Sequence, residues 1–303
     1  MTIDAILIAG PTASGKSAAA TALAQALNGI VVNTDSMQVY AEARILTARP
    51  SDDDEAKAPH TLYGHVSVHE PYSVGRYRAD AETALATARA RRVVPIFTGG
   101  TGLYFEALTA GLAEIPAVPA AVRDATRALR ERIGAEEFHA QLARRDAEAA
   151  ARLNAGDTQR TLRAFEVFEA TGKPLGYWQT QKGAPLLTGH IIRIVVSPPR
   201  EILQARINAR FDAMMIEGAQ GEAQMLAQIA PALPAAKILG RRELLAAAAG
   251  EISLDEATAR ARAATRQYAK RQLTWFRNRF GGWQWVETPA PDNILAAINA
   301  AVT

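Results

Sequence analysis

An apolar run, Ile3 to Ala9, leads directly into Gly10-Pro11-Thr12-Ala13-Ser14-Gly15-Lys16-Ser17, and an alanine-rich segment, Ser17 to Leu27, follows. Glycine, four residues, then Gly-Lys-Ser is the spacing of a phosphate-binding loop. It constrains the fold more than any other feature of the chain. Such a loop works only where a strand delivers the backbone into a helix N-terminus, so that consecutive N–H groups and the helix dipole face an anion together. Lys16 is expected to reach the terminal phosphates, and Ser17 to hold Mg²⁺. The loop alone leaves open whether the ligand is a nucleotide, a pyrophosphate or a phosphorylated metabolite.

The rest of the first third continues strand-helix alternation. Gly29 to Asn33 is a second β-branched strand and Val93 to Thr98 a third, reached after a helical pattern over Arg78 to Arg92. This implies an α/β fold with a P-loop NTPase-like parallel sheet flanked by helices. Between about 116 and 185 the pattern is helical only, with segments at Ala120 to Arg132, Ala135 to Arg145, Ala147 to Asn154 and Thr158 to Thr171. We read 1–115 and 186–303 as the catalytic core and 116–185 as an inserted all-helical module. Strand character returns at Ile191 to Val196, and Pro198-Pro199-Arg200-Glu201 then reads as a helix start. The remainder is expected to be helical, with plain helix at Leu245 to Ala249.

The chain has 303 residues, 49% of them hydrophobic, enough for one large domain with an inserted module. Having no cysteine, it excludes disulfides, thiolate nucleophiles and Cys-ligated zinc. With no export signal and no apolar run of the ~20 residues needed to span a bilayer, a cytoplasmic location without membrane attachment is expected.

In NTPases of this type the strand carrying the second Mg²⁺ site usually ends in Asp. Here the third strand runs into Thr98-Gly99-Gly100-Thr101-Gly102. Such a turn places backbone, not a carboxylate, beside the crevice. The nearest carboxylate is expected from the end of the second strand, Asn33-Thr34-Asp35-Ser36-Met37-Gln38-Val39-Tyr40, where adjacent parallel strands would bring Asp35 close to Ser17. Helix cap, partner of a magnesium ligand and general base all remain open for Asp35.

The net charge is only +3, but positive charge concentrates near the C-terminus. Ala257 to Phe280 contains no acidic residue and seven basic ones: Arg260, Arg262, Arg266, Lys270, Arg271, Arg277 and Arg279. On a helix, Arg262, Arg266, Lys270 and Arg277 share one face, while Ala261, Ala264, Tyr268 and Trp275 share another. The expectation is a helix that packs on one side and meets RNA phosphates on the other.

Four separated segments together resemble the bacterial tRNA dimethylallyltransferases: the phosphate loop, Asp35-Ser36-Met37-Gln38-Val39-Tyr40, Gly99-Gly100-Thr101-Gly102-Leu103-Tyr104, and Arg266 to Arg277. The likeness covers nearly the whole chain, helical insertion included. It implies transfer of a dimethylallyl group from dimethylallyl diphosphate to the exocyclic amine (N6) of the adenosine 3′-adjacent to the anticodon, with release of pyrophosphate and with Mg²⁺ as cofactor. The implied reacting groups are Asp35 as general base, Thr101 beside the adenine, and Lys16 and Arg210 at the diphosphate. Gly10, Pro11, Thr12, Ala13, Ser14, Gly15, Lys16 and Ser17 would cradle the donor. The implied tRNA contacts are Asp35, Ser36, Met37, Gln38, Thr101, Arg123, Gln159, Arg160, Thr161, Leu162 and Arg163, which would grip the anticodon stem-loop of a tRNA bound by a monomer.

The chemistry of these residue types agrees. An exocyclic amine is a weak nucleophile, so a carboxylate that takes its proton and a site that holds geometry are what the reaction needs. A stacked loop base must also be extruded to react. The chain departs from the family pattern at Pro59-His60-Thr61-Leu62, where a pair of histidines is usual, and at Arg241, where Tyr is common. Arg44 to Pro50 is matched only in part. Two other readings stand beside this one. An adenylate isopentenyltransferase acting on free nucleotides would need no large RNA surface. A small-molecule P-loop kinase would have no use for the basic helix or the insertion.

Overall fold

The computed structural model describes residues 3–290, 293, 294 and 296. Contacts divide the chain into two compact units, one built from 1–109 and 186–303 and the other from Ala110–Pro185.

The larger unit is organised on one six-stranded sheet, all of whose pairings are parallel. Strand β1 (Ala5–Ala9) feeds the phosphate loop and α1 (Lys16–Leu27), and β2 (Gly29–Asn33) returns to the sheet. After α2 (Asp52–Lys57) a short edge strand β3 (His60–Thr61) is followed by α3 (Val74–Arg91), β4 (Val94–Gly99) and α4 (Gly102–Thr109). The strand order is β3-β2-β4-β1-β5-β6, with β5 at Ile191–Val196 and β6 at Gln284–Val286. Residues of β1 and β2 are buried throughout, as expected of central parallel strands covered by helices on both faces.

Three expectations are corrected here. Strands β1 and β2 are not neighbours, because β4 lies between them and pairs with both. The C-terminal stretch read as wholly helical contains β6, which pairs with β5 through Val195 and Trp285. In that parallel pairing β6 is a three-residue edge strand, too short to carry a periodicity signal. Helix α3 also starts at Val74, four residues before the pattern begins. Ser73 caps it by accepting from the Arg76 N–H, a boundary set by the cap rather than by apolar spacing.

Beyond β5 come α9 (Arg200–Glu217), α10 (Ala219–Met225), α11 (Arg241–Ala248) and the long α12 (Leu254–Arg279). The buried stripe of α12 is Ala257, Ala261, Thr265, Ala269, Gln272 and Phe276, so Ala264, Tyr268 and Trp275 are only partly covered. The expected apolar face is therefore rotated. Small residues at four-residue spacing let α12 approach α9 and α11 closely, and aromatic bulk is displaced to the flanks.

The glycines of the Gly99-Gly100-Thr101-Gly102 turn have a steric explanation. A Cβ on Gly99 would stand 2.1 Å from the Thr34 carbonyl, one on Gly100 would stand 2.1 Å from the Gln272 amide, and one on Gly102 would strike the Trp275 ring. Chain from β2 and from α12 thus closes on this turn from two directions.

The smaller unit is helical: α5 (Ala120–Arg145), α6 (Ala147–Arg152), α7 (Thr158–Thr171) and α8 (Leu175–Gln179). Helix α5 is broken at Gly134 (φ 81°, ψ 171°), the position at which the sequence separates two helical segments. Its core pairs Phe138 with Phe165 at 4.7 Å between ring centroids and adds Leu142, Ala150 and Ala164. Buried Asp146 caps α6 by accepting from the Ala149 N–H and also accepts from the Leu175 N–H. No helix among the described residues is long and apolar enough to cross a membrane.

Candidate active site

The phosphate loop turns through two left-handed residues, Ala13 (φ 63°) and Gly15 (φ 92°), before α1 begins at Lys16. Lys16 is almost fully buried, and its Nζ donates to the Pro11 carbonyl at 3.1 Å. Burial brings its pKa down to about 8, against the opposing pull of Asp35 and with a smaller push from Arg210. Three charged groups at the carboxyl ends of the strands therefore feel one another. The Ser14 hydroxyl is fully buried and has no hydrogen-bond partner.

Two distant helices clamp this loop. Arg206 donates to the Ser14 carbonyl at 3.1 Å, and Arg210 donates to the Thr12 hydroxyl. Burial holds the Arg210 guanidinium below its ordinary pKa, with Asp35 opposing. From α12, the buried Gln272 accepts from the Thr12 N–H and donates to the Gly100 carbonyl, each at 2.9 Å. One side chain thus bridges the phosphate loop to the glycine turn.

Asp35 is presented by a rigid local network. Its N–H donates to Asn33 Oδ1, while Asn33 Nδ2 donates to the carbonyls of Asp35 and Leu62. Asp35 Oδ1 accepts from the Met37 N–H at 2.9 Å, a turn typical of Asx side chains. Thr101 Oγ1 accepts from the Ser36 N–H at 2.9 Å and stands 3.2 Å from Ser36 Oγ. The expected proximity of Asp35 to the loop comes about across β4, whose end is stripped to glycine. Its reach is to Lys16 and Arg210, not through strand adjacency.

Gln38 turns its amide away from solvent and donates to the carbonyls of Thr47 and Ala48. The same segment is held from below by Glu222, a buried carboxylate accepting the N–H groups of Arg44, Ile45 and Leu46 at 2.7 to 2.9 Å. His60 accounts for itself structurally, with Nδ1 2.8 Å from the Ala58 carbonyl and Nε2 3.5 Å from the Thr21 hydroxyl. Arg241 donates to the carbonyls of Leu226 and Ala227, a packing role that a Tyr could not reproduce.

Part of this network borders a cavity of about 310 Å³. Thr12, Asp35, Ser36 and Arg210 give it a polar wall, and Leu46, Phe211, Met214 and Ile238, which belong to one packed cluster, give it an apolar end. Tyr268 and Arg271 close another side, with the Arg271 guanidinium 5.7 Å from the Tyr268 ring centroid. A cavity that pairs fixed cations and one carboxylate with a hydrocarbon-lined recess suits a ligand carrying a phosphate head and a short apolar tail.

Ser17 is exposed in the first turn of α1, and no group of three or more His, Asp or Glu residues able to hold a metal occurs among the described residues. Mg²⁺ commonly takes only one or two protein ligands and completes its shell with water and substrate phosphates. The residues present fit that mode: the exposed Ser17 hydroxyl beside the loop would be the protein ligand.

The smaller unit carries the remaining expected residues. Arg123, Gln159 and Arg160 are exposed on α5 and α7, and Arg160 lies 3.6 Å from Asp157. Arg163 is half-buried and Glu166 is buried beside it; desolvation lowers the pKa of the first and raises that of the second. Thr161 is fully buried and donates to the Asp157 carbonyl, and Leu162 packs against the unit's core. The expectation that 159–163 all face RNA is thus corrected. Consecutive helical residues point about 100° apart, so five in a row cannot share one surface.

The sequence assigns no role to Gln272, Arg206 or Glu222 and places Tyr268 only on a packing face; the structure gives the first three contacts at the site and sets Tyr268 in the cavity wall. Gln272 and Tyr268 lie inside the Arg266 to Arg277 motif, the signal that could have found them. Glu222 carries no local signal, being one glutamate in an ordinary helix.

Comparison with known proteins agrees with the geometry. The sequence model described as IPP transferase matches residues 38–279, and one described as isopentenyl transferase matches 3–63. The tRNA dimethylallyltransferase of Nitrobacter hamburgensis is 51% identical over 97% of this chain and 94% of its own, and that of Rhodopseudomonas palustris is 51% identical over 97% and 92%. The crystal structure of the tRNA isopentenylpyrophosphate transferase from Bacillus halodurans superposes with a TM-score of 0.67 at 30% identity, covering 98% of this chain and 97% of that one. A eukaryotic dimethylallyltransferase solved acting on tRNA gives a TM-score of 0.77 at 27% identity, over 91% of this chain and 70% of that one. With its phosphate loop, its Asp35 turn and this similarity along nearly its whole length, the chain belongs to the IPP transferase family.

Proposed function

We propose that this protein transfers the dimethylallyl group of dimethylallyl diphosphate to N6 of the adenosine 3′-adjacent to the anticodon of a tRNA. The observation that carries this reading is the cavity in which Thr12 of the phosphate loop, Arg210, Asp35 and an apolar recess meet, with Lys16 coupled electrostatically to Asp35 and Arg210. The 51% identical relatives that bear the tRNA dimethylallyltransferase name support the choice of acceptor over free nucleotides.

In this reading the loop amides, Thr12, Lys16 and Arg210 hold the diphosphate, and the apolar recess takes the five-carbon tail. Mg²⁺, held by Ser17 and the phosphates, would supply further charge neutralisation at the leaving group. N6 of the adenosine forms a bond to the allylic C1 as the bond from C1 to the diphosphate oxygen breaks. The N6 proton passes to Asp35 and then to solvent, and pyrophosphate departs as an anion stabilised by preorganised donors. A carboxylate in this role contributes ~10²–10⁴ in rate. Thr101 fixes the Ser36 backbone and with it the Asp35 turn. Ser36 and Met37 border the extruded base, and Gln38 serves by holding the segment at Thr47 and Ala48. Arg123, Arg160 and Arg163 supply phosphate contacts from the helical unit.

The test is to incubate the protein with labelled dimethylallyl diphosphate, Mg²⁺, and either unmodified tRNA or AMP. Label is expected in the tRNA at one adenosine. Transfer to AMP alone would reject the reading.

A further inference from the structure

Helix α9 presents Ile207, Arg210, Phe211 and Met214 to the cavity, the i, i+3, i+4, i+7 spacing of a single helix face. Along that face Arg210 is flanked by Ile207 on its N-terminal side and by Phe211 and Met214 on its C-terminal side. Arg210 stands at the phosphate loop, on the Thr12 hydroxyl, and Met214 follows one turn later, about 6 Å along the helix axis. Phe211 and Met214 are both buried at the apolar end. Behind them lies a second cavity, of about 650 Å³, lined by Arg44, Arg49, Ser51 and Asp52 together with Arg210 and Met214. Met214 and Arg210 are the residues common to the two linings, and of these Met214 is the apolar one. Its unbranched thioether is therefore the partition between a small recess with an apolar end and a larger one whose lining is mostly charged.

Resting on the donor-binding reading above, we infer that Met214 is the specificity-determining residue for donor length: it ends the apolar recess one helical turn beyond the diphosphate, admitting a C5 tail and excluding a C10 tail. A second isoprene unit would have to displace the Met214 side chain and enter a recess where Ile45, Ala48 and Ala213 offer apolar contact only among the charged side chains of Arg44, Arg49, Asp52, Asp53, Asp54 and Glu217, so that burying its hydrocarbon there also desolvates charge. Close-packed walls resist such displacement, since added methylenes in a filled site force off-rotamer side chains. Glu222 makes the opposite wall stiff as well, because it fixes the backbone of Arg44, Ile45 and Leu46, and Leu46 lines the recess.

The experiment measures kcat/KM for dimethylallyl diphosphate and for geranyl diphosphate with the same tRNA, in the native protein and in Met214→Ala and Met214→Val. The C10/C5 ratio is read within each preparation, so any loss of folded protein divides out. The native protein is expected to favour the C5 donor by roughly 100-fold or more, given that even one methylene is discriminated by roughly 10–200-fold in a shaped pocket. Met214→Ala should raise the C10/C5 ratio at least about tenfold, with Met214→Val intermediate. Met214→Phe should lower kcat/KM for the C5 donor by crowding the recess. A C10/C5 ratio that stays at the native value in both truncations, alongside measurable C5 transfer, overturns the assignment of Met214. Equal use of both donors by the native protein overturns it too. Absence of C5 transfer from the native protein instead defeats the donor-binding reading itself, so the two failures are distinguishable.

Discussion

Gln272→Met offers a sharp test of how the site is held together. Gln272 is buried, with its acceptor on the Thr12 N–H and its donor on the Gly100 carbonyl. Methionine has nearly the same length and volume and is flexible, so the substitution leaves little cavity. What it removes is the partner of two backbone groups. Each buried polar group left unsatisfied costs about 1–3 kcal/mol, giving roughly 2–6 kcal/mol in all. Against a total stability on the order of 5–15 kcal/mol this is a large loss, readable as a shift of the denaturant midpoint at unchanged slope. A purely structural role would end there. Because Thr12 also accepts from Arg210, loosening the loop should raise KM for the donor by about tenfold, equivalent to about 1.4 kcal/mol, while KM for tRNA stays at its native value. Gln272→Asn, one methylene shorter, cannot span both partners and should fall on the side of the Met variant. A midpoint shift under about 0.5 kcal/mol, the range of an ordinary surface substitution, together with an unchanged donor KM, would refute the clamp.

Other consequences are accessible to simple assays. Burial brings the Lys16 pKa down to about 8, well under its ordinary value of 10.5, so its ammonium is lost in the ligand-free protein as pH rises through about 8. Donor affinity should therefore weaken above that pH, binding near pH 8 should take up a proton, and Lys16→Met should abolish both effects; a calorimetric titration in buffers of different ionisation heat measures this. The sign for folding runs the other way. The unfolded chain holds the Lys16 proton up to 10.5, so between about 8 and 10.5 this group makes stability rise with pH. Asp35→Asn should lower kcat by ~10²–10⁴ with tRNA affinity preserved, and near-native turnover would dismiss Asp35 as proton acceptor. Gly99→Ala drives a Cβ to 2.1 Å from the Thr34 carbonyl and must spread β2 from β4; little or no folded protein is expected, as judged by thermal melting and expression.

Much of this site is legible in the amino-acid sequence because its parts are locally specified. The phosphate loop is defined by backbone conformation at a strand-helix junction, and its glycine spacing is readable without knowing what surrounds it. Strands β2 and β5 likewise have the limits their β-branched composition implies, Gly29–Asn33 and Ile191–Val196. Helix α7 begins where Asp157 accepts from the Arg160 N–H and ends at left-handed Gly172, both of them sequence signals. The α12 stripe is less legible, since an alanine-rich helix with arginines at many positions has a weak apolar periodicity and its buried face is chosen by what it packs against.

The chain's own sequence determined that a phosphate cradle would form, that a parallel sheet would carry it, that a helical unit would interrupt the core, and that Asp35 would stand at a strand end near the loop. These follow from interactions a few residues long: caps, turns, strand propensity and glycine freedom. Only the tertiary structure decided that β4 separates β1 from β2, that Gln272 and Arg210 reach Thr12 from 260 and 198 residues away, and that Met214 divides two cavities. Those contacts join segments whose separation along the chain carries no local energetic signature. They are fixed when the packed core, and not the neighbouring residue, selects which side chains meet.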